Sequence, residues 1–389
     1  MLLIRPAIKN ILGGGMRTWL NMAVLSFTFV LIVLYNGITD GWVQESRRET
    51  IQWETGQGQL WHSDYDRFDI FSIQEAHGVI PEKLQPAIAA HTYTPILVSL
   101  GVIYPQGRLQ NVLLKGIDPE QSILNIPSKQ LKSSGDEIVT LIGKRMAQAA
   151  KLKKGDRVMV RWRDRNGTFD AREVLISDVF DTKVASVDEG QLWFNLEDLR
   201  KLTSLPDEAT YLIRSANGPV VSDVEGWHYK DLKFLLADLD MMLKGERIEM
   251  AIIFTVLLSI GLLALFDTQV LSIFRRQKEI GTYIALGMTP RRVAGLFTLE
   301  GTSYSILGIL FGALWGTPIL IWFARAGISM PEMDDMGIAI GNALYPVYEP
   351  SSVLLNIFII VSLSALISYL PARKIAKQNV VYALKGKIS

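Results

Sequence analysis

The run TWLNMAVLSFTFVLIVLYNGIT, residues 18–39, holds no charged side chain in 22 positions. A helix needs about 20 such residues to cross the hydrocarbon core of a bilayer. Core helices of water-soluble domains rarely run that far without a charge, so the stretch reads as a membrane span. Three more runs follow it. MAIIFTVLLSIGLLALF ends at Phe266 and extends through Asp267 to Phe274. Residues 293–324 hold one charge, Glu300, and SSVLLNIFIIVSLSALISYLPA, residues 351–372, holds none. The first run does not read as a cleaved signal. It starts 17 residues into the chain, and bulky, polar NGITDGWVQESRRE follows it in place of a small-residue cleavage site.

Charge orients the four spans. Residues 1–17, the connection 275–292 and the tail after Ala372 together carry thirteen Lys and Arg against one acid, Glu279. The short connection between the third and fourth runs carries Glu332, Asp334, Asp335 and Glu349, with no base after Arg325. Excess Lys and Arg stay on the cytoplasmic side. Both termini and 275–292 are therefore expected inside, and residues 41–247 outside. In the first segment Ile4, Ile8, Ile11 and Leu12 recur at helical spacing beside Arg5 and Lys9, which suits an amphipathic helix on the inner face. Gly13–Gly14–Gly15 would break it.

The resulting expectation is an α-helical membrane protein with four transmembrane helices and a large mixed α/β periplasmic domain between the first and second. In order, the parts are an amphipathic segment (1–17), a first span (18–40), the α/β domain (41–247), a second span (248–274) and a cytoplasmic loop (275–292). A third span (293–324), an outer loop (325–350), a fourth span (351–371) and a cytoplasmic tail (372–389) complete it.

Residues 41–247 are enough to bury a core of their own. TPILVSLGVIYPQGRLQNVLLKGI reads as two strands joined by a turn at Pro105–Gly107. DRVMVRWRDRNGTFDAREVLISDVF reads as a hairpin turning at Asn166–Gly167, with Val158, Val160 and Trp162 on one face. EIVTLIGKRMAQAAKLKKGD reads as strand, helix and a Gly155–Asp156 turn, and a short helix starts at Asn195. KDLKFLLADLDMMLKGERIEM is amphipathic and leads into the second span.

Composition excludes several chemistries. The formal net charge is +1 and the hydrophobic content 49%, which is not the make-up of a basic nucleic-acid binder. The chain has no cysteine, so disulfides, thiol catalysis and cysteine metal sites are ruled out. His62, His77, His91 and His228 stand far apart, with no HExxH pair. Gly143–Lys144 lacks the rest of a GxxxxGK[ST] phosphate loop. No catalytic, cofactor or metal residue is singled out. In the third span Gly308, Gly312 and Gly316 recur at four-residue spacing, which suits close helix packing. Glu300 stands about two turns beyond Arg292 and should snorkel, pair or be protonated, as a carboxylate at the membrane border.

Several stretches then match a known pattern: IKNILGGGMRTWLNM at the entry to the first span, RRQKEIGTYIALGMTPRRV after the second, LEGTSYSILGILFGALWG in the third and LPARKIAKQNVVYAL in the tail. Lys278–Glu279–Ile280–Gly281, Ala285–Leu286–Gly287, Pro371–Ala372 and Ala383–Leu384 carry the match, and Val380 departs from the usual proline. The chain resembles the FtsX-like (MacB-type) permease family of ABC transporters. The resemblance implies a non-catalytic subunit of the bacterial inner membrane that pairs with a second permease copy or a related permease and binds a dimeric cytoplasmic ATPase. That partner, expected to be a separate chain, would use the ATP and magnesium, and this chain would bind no cofactor. Residues 52–69, QWETGQGQLWHSDYDRFD, are similar at Gly58, Gln59 and Leu60 to the lipoprotein-releasing branch. Membrane lipids, a periplasmic carrier and lipoprotein cargo are then the further partners, with no nucleic acid. An efflux permease working with a periplasmic adaptor and a regulator of a cell-envelope hydrolase are the alternatives.

The same resemblance makes 275–292 the ATPase contact. Leu286–Gly287 can close a short helix and Thr289–Pro290 can start the next. Lys278, Glu279, Ile280, Gly281, Tyr283, Ile284, Ala285, Leu286 and Gly287 are the expected coupling residues, with Ile280, Tyr283, Ile284 and Leu286 as the apolar contact. Ile284→Asp is expected to uncouple ATP hydrolysis.

Overall fold

The computed structural model of the protein describes residues 16–132, 137–221, 224, 226–329 and 343–376. The amphipathic segment with its three glycines, residues 330–342 of the 325–350 loop and the tail motif beyond residue 376 lie outside these. The chain divides into a helical unit and an α/β unit.

The helical unit is built from α1 (Met16–Thr50) as far as Val43, α2 (Ala237–Arg275) from Leu243 on, α3 (Gln277–Ala285), α4 (Pro290–Ala326) and α5 (Pro350–Ala376). Among the described residues four helices, all but α3, are long and apolar enough to cross a membrane. All four long helices overrun the boundaries read from hydropathy, α1 and α2 furthest. α1 continues beyond residue 40 to Thr50, and α2 starts well before residue 248, at Ala237. The physical reason is simple. Helix ends follow backbone hydrogen bonding, whereas an apolar run marks only the part suited to hydrocarbon.

The glycine row of α4 packs on α1. A Cβ on Gly308 would lie 2.8 Å from the Leu25 Cβ, and one on Gly312 would lie 2.9 Å from the Ser26 carbonyl oxygen. One on Gly316 would collide with Val30. Because a backbone oxygen cannot rotate away, Gly312 sets the helix separation most firmly. Gly261 of α2 meets Thr28 in the same manner, and Gly301 of α4 lies against Ser368 of α5. Polar contacts add to this packing. Thr268 Oγ1 donates to Asn21 Oδ1 at 2.9 Å, and Trp315 Nε1 donates to Ser26 Oγ at 3.3 Å.

The strands of the α/β unit are β1 (Gln59–His62), β2 (Gly78–Val79), β3 (Tyr93–Ile103), β4 (Gln110–Ile117), β5 (Val139–Gly143), β6 (Arg157–Arg163), β7 (Phe169–Phe180), β8 (Gln191–Asn195), β9 (Glu208–Ala209), β10 (Tyr211–Arg214) and β11 (Trp227–Lys230). β2 and β9 pair by themselves. The other nine form one sheet in the order β11-β1-β10-β3-β4-β8-β5-β7-β6, and β6 also pairs with β3. Six strands, β3, β4, β8, β5, β7 and β6, therefore close on themselves. The long β3 makes this possible. Its first half, Tyr93–Ile96, pairs with β10, and its last residues, Gly101–Ile103, pair with β6.

Strand alternation gives the closed ring two faces. Leu97, Ile103, Val112, Leu114, Val160, Trp162, Ile176, Leu192 and Phe194 share one core. Gly101 lies among them because a Cβ there would come within 2.7 Å of Leu114. On the opposite face Ile96, Val98, Ile117, Leu141 and Trp193 join a second core with Trp61, Phe180 and Tyr211.

β6 alternates exposed and buried, with Val158, Val160 and Trp162 inside. The hairpin turns at Gly167, whose φ is +82°, but over the five residues Asp164–Thr168. Asp164 holds that loop by accepting from the Thr168 N–H at 2.7 Å. Asn195 caps Leu196–Thr203 by accepting from the Glu197 N–H at 3.0 Å. Gly143 has a role its sequence did not reveal. The Asp188 carboxylate occupies the space beside it and accepts from the Arg145 N–H at 3.0 Å, so the start of Lys144–Ala150 is capped from within the fold.

Candidate functional site

The chain breaks at Arg276, between α2 and α3, with φ −103° and ψ 18°. The break keeps its hydrogen bonds: the Arg276 N–H donates to the Ser272 carbonyl at 3.2 Å, and the Ile280 N–H to the Arg276 carbonyl at 3.0 Å. α3 then spans nine residues. Leu286 takes its C-cap position, and Gly287 follows at φ +94°, a conformation that glycine adopts freely. Thr289 stands at the N-cap of α4 and Pro290 at its first position, as the sequence suggests. The Thr289 hydroxyl makes no capping bond; its carbonyl accepts from the N–H groups of Arg292 and Val293.

The corner is tied to α4 by charge. Arg276 Nη1 lies 3.0 Å from Glu300 Oε2 and 3.2 Å from Oε1. Its Nε donates to Glu279 Oε2 at 2.7 Å, and the guanidinium lies over the Phe297 ring at 5.0 Å. Glu300 is buried on α4, about 15 Å along the helix from Pro290. A buried carboxylate needs such a partner. Of the outcomes the sequence allowed for Glu300, the structure shows pairing. Arg276 is the residue that sequence reasoning missed. It stands 24 positions from Glu300, and beside Arg275 it looks like one more basic anchor.

The expected contact residues separate into two groups. Ile280 is 1% exposed and packs with Ile273, Val293, Ala294, Phe297 and Ala372, and Gly281 is buried. Tyr283, Ile284 and Met288 lie half-buried on the same cluster. Lys278, Glu279, Ala285, Leu286 and Gly287 are exposed, Leu286 at 79%. A single apolar face running from Ile280 to Leu286 is therefore corrected. Helical geometry turns Ile280 and Ile284 toward α4 and puts Leu286 on another side. Ile284→Asp would disturb this inner cluster as well as any contact made outside it, so Leu286 is the better position to probe.

Among the described residues no group of three His, Cys, Asp or Glu side chains could hold a metal. His77 pairs through Nδ1 with the buried Glu208 at 2.5 Å, and Arg165 reaches the same carboxylate at 2.9 Å. Asp267 is exposed on α2.

Comparison with known proteins adds the following. Residues 251–380, which contain all of α3 and α4, match the family described as FtsX-like permease C-terminal. The chain is 25% identical over 243 residues to the "Lipoprotein-releasing system transmembrane protein LolC" of Xylella fastidiosa, a match covering 55% of this chain and 57% of that protein. It is 21% identical over 326 residues to the protein of the same name from Neisseria meningitidis serogroup B, covering 75% of this chain and 77% of the relative. It is 29% identical over 133 residues to the "ABC transporter permease YtrF" of Bacillus subtilis, covering 33% and 30%. The chain thus spans little more than half the length of the Xylella relative.

Proposed function

Because residues 251–380 make this chain a carrier of the FtsX-like permease domain, we propose that it is the membrane subunit of an ABC transporter, driven by a partner ATPase. It is non-catalytic in this reading and resides in the inner membrane of a bacterium. Four helices cross the bilayer, with residues 275–292 and both termini in the cytoplasm and the α/β unit in the periplasm. A second permease, identical or related, completes the pair. The excess of Lys and Arg on the cytoplasmic segments supports this orientation.

The observation that carries the proposal is the α3 corner. A short helix is fastened at its inner side by Ile280 and the Arg276–Glu300 pair, and it exposes Lys278, Glu279, Ala285 and Leu286 on the other. A push on the exposed residues would reach α2 and α4 through that fastening. The cargo we propose is lipoprotein, released from the inner membrane toward a periplasmic carrier. Its support is the similarity to relatives named for lipoprotein release.

A photocrosslinking residue at Leu286, in cells, tests the contact. It should capture a protein with ABC ATPase sequence, whereas the same probe at the exposed Leu314 of α4 should not. No ATPase at Leu286 or Lys278, with membrane insertion intact, would sink the reading. Leu286→Asp should abolish stimulation of the captured ATPase without affecting insertion.

A further inference from the structure

The second core covers only part of the sheet face opposite the ring interior. Over the last residues of β3, the start of β4 and the end of β6 that face is open, and a cleft of about 460 Å³ lies there. Its volume falls in the range of small-molecule sites, roughly 300–1,000 Å³. Leu100, Val102 and Leu113 form an apolar wall. Ile70 and Phe169 stand at the cleft 62% and 61% exposed, and such uncovered apolar groups beside a cavity mark a binding surface.

Two cations line the same cleft. Arg161 and Arg163 alternate on β6 and so point to one face, about 7 Å apart along the strand. The Arg161 guanidinium lies 4.6 Å from the Phe169 ring centroid and makes a long bond of 3.4 Å to the Tyr104 hydroxyl. Arg163 donates to Gln74 and to the Gly167 carbonyl, each at 3.3 Å. Among the described residues neither meets a carboxylate within 4.0 Å, whereas nearby Arg157 and Arg165 pair with Glu137 and Glu208. A guanidinium has five donors, so both retain capacity for an anion.

We propose that this cleft binds a single-chain anionic amphiphile, its alkyl chain against Leu100, Val102 and Leu113 and its head group held by Arg161 and Arg163. The strand pairing favours such a ligand over a peptide. β3 is bonded to β4 on one side and to β6 on the other, and β6 to β7, so no open edge remains for a peptide backbone. An alkyl chain needs no hydrogen-bond partner along its length, and its one charged end meets the two cations. The site does not depend on the ATPase contact or on the identity of the cargo.

The test uses the full chain in nanodiscs of zwitterionic lipid, with a diazirine-bearing palmitate as probe and mass spectrometry to locate the label. Label is expected within residues 98–113 and 161–171. Unlabelled palmitate or lysophosphatidate should compete about tenfold better than hexadecanol, since only the anions gain charge-assisted hydrogen bonds. The stronger competitor of the two identifies the head group as carboxylate or phosphate. Arg161→Gln with Arg163→Gln should lower labelling by the palmitate probe about tenfold, the factor that separates the anions from hexadecanol. Label confined to the four long helices, equal competition by hexadecanol, or stronger competition by an apolar hexapeptide would each overturn the proposal. The head-group comparison needs no variant, so it decides even if the double substitution fails to fold.

Discussion

Lys115 is 8% exposed on β4, and its ammonium lies 5.2 Å from the Trp193 ring centroid. Burial lowers its pKa from 10.5 to about 8, with a smaller opposing effect from Glu54. Below pH 8 both folded and unfolded chains hold the proton, and folding bears the whole cost of the buried charge. Between pH 8 and 10.5 the folded chain sheds the proton while the unfolded chain keeps it, so the cost fades and stability rises with pH. At 1.36 kcal/mol per pKa unit the cost is about 3 kcal/mol near pH 7 and about 1.5 kcal/mol at pH 9.5. Lys115→Met removes it, keeps a similar volume, and loses a cation–π contact worth about 1 kcal/mol. The variant should therefore be about 2 kcal/mol more stable at pH 7, with the gain falling to near zero at pH 10.5, where the folded chain holds Lys115 neutral and no cation–π contact is lost. Tyr65, pushed up to about 12 by burial, and Tyr211, raised well above its usual value by burial, stay neutral across this range and do not confuse the measurement. Urea unfolding of the full chain in detergent, followed by tryptophan emission at both pH values, reads the difference. No gain at pH 7, or a gain that does not shrink on raising the pH, would refute the reasoning.

Three further outcomes are expected. Glu300→Ala leaves Arg276 its bond to Glu279 and its contact with the Phe297 ring; it should cost about 2–3 kcal/mol, below the usual loss for a fully buried pair. The double variant Arg276→Met/Glu300→Met should unfold nearer the wild-type temperature than the single one does. Gly312→Leu should lower the melting temperature in nanodiscs, by an overpacking cost of about 1–3 kcal/mol, because the Ser26 carbonyl cannot move aside; Leu314→Ala, on the exposed side of α4, should not. Gly143→Ala should displace the Asp188 carboxylate and lose the helix cap, costing about 1–2 kcal/mol in chemical unfolding, whereas Gly155→Ala meets no neighbour and should show only the strain of a positive φ.

The long helices and the corner between them were legible because their signals are local. Long apolar runs mark α1, α2, α4 and α5, and the pair Leu286–Gly287 with Thr289–Pro290 marks the end of α3 and the start of α4. The strands at 93–117 and 157–180 were legible through alternation and turn residues. The inward packing of Ile280 and Ile284 was not, since an apolar residue on a short helix reads alike whether its own chain or a partner covers it.

The sequence by itself determined which segments are apolar enough to span a bilayer, where they turn, and which family they resemble, because each of these depends on residues close together in the chain. Only the tertiary structure decided that Arg276 serves Glu300, that Asp188 occupies the space beside Gly143, and that β6 returns to β3 and leaves a cleft edged by two arginines. Those pairings join positions 24 to 61 residues apart. Their energies depend on burial and distance, which exist only once the chain has folded.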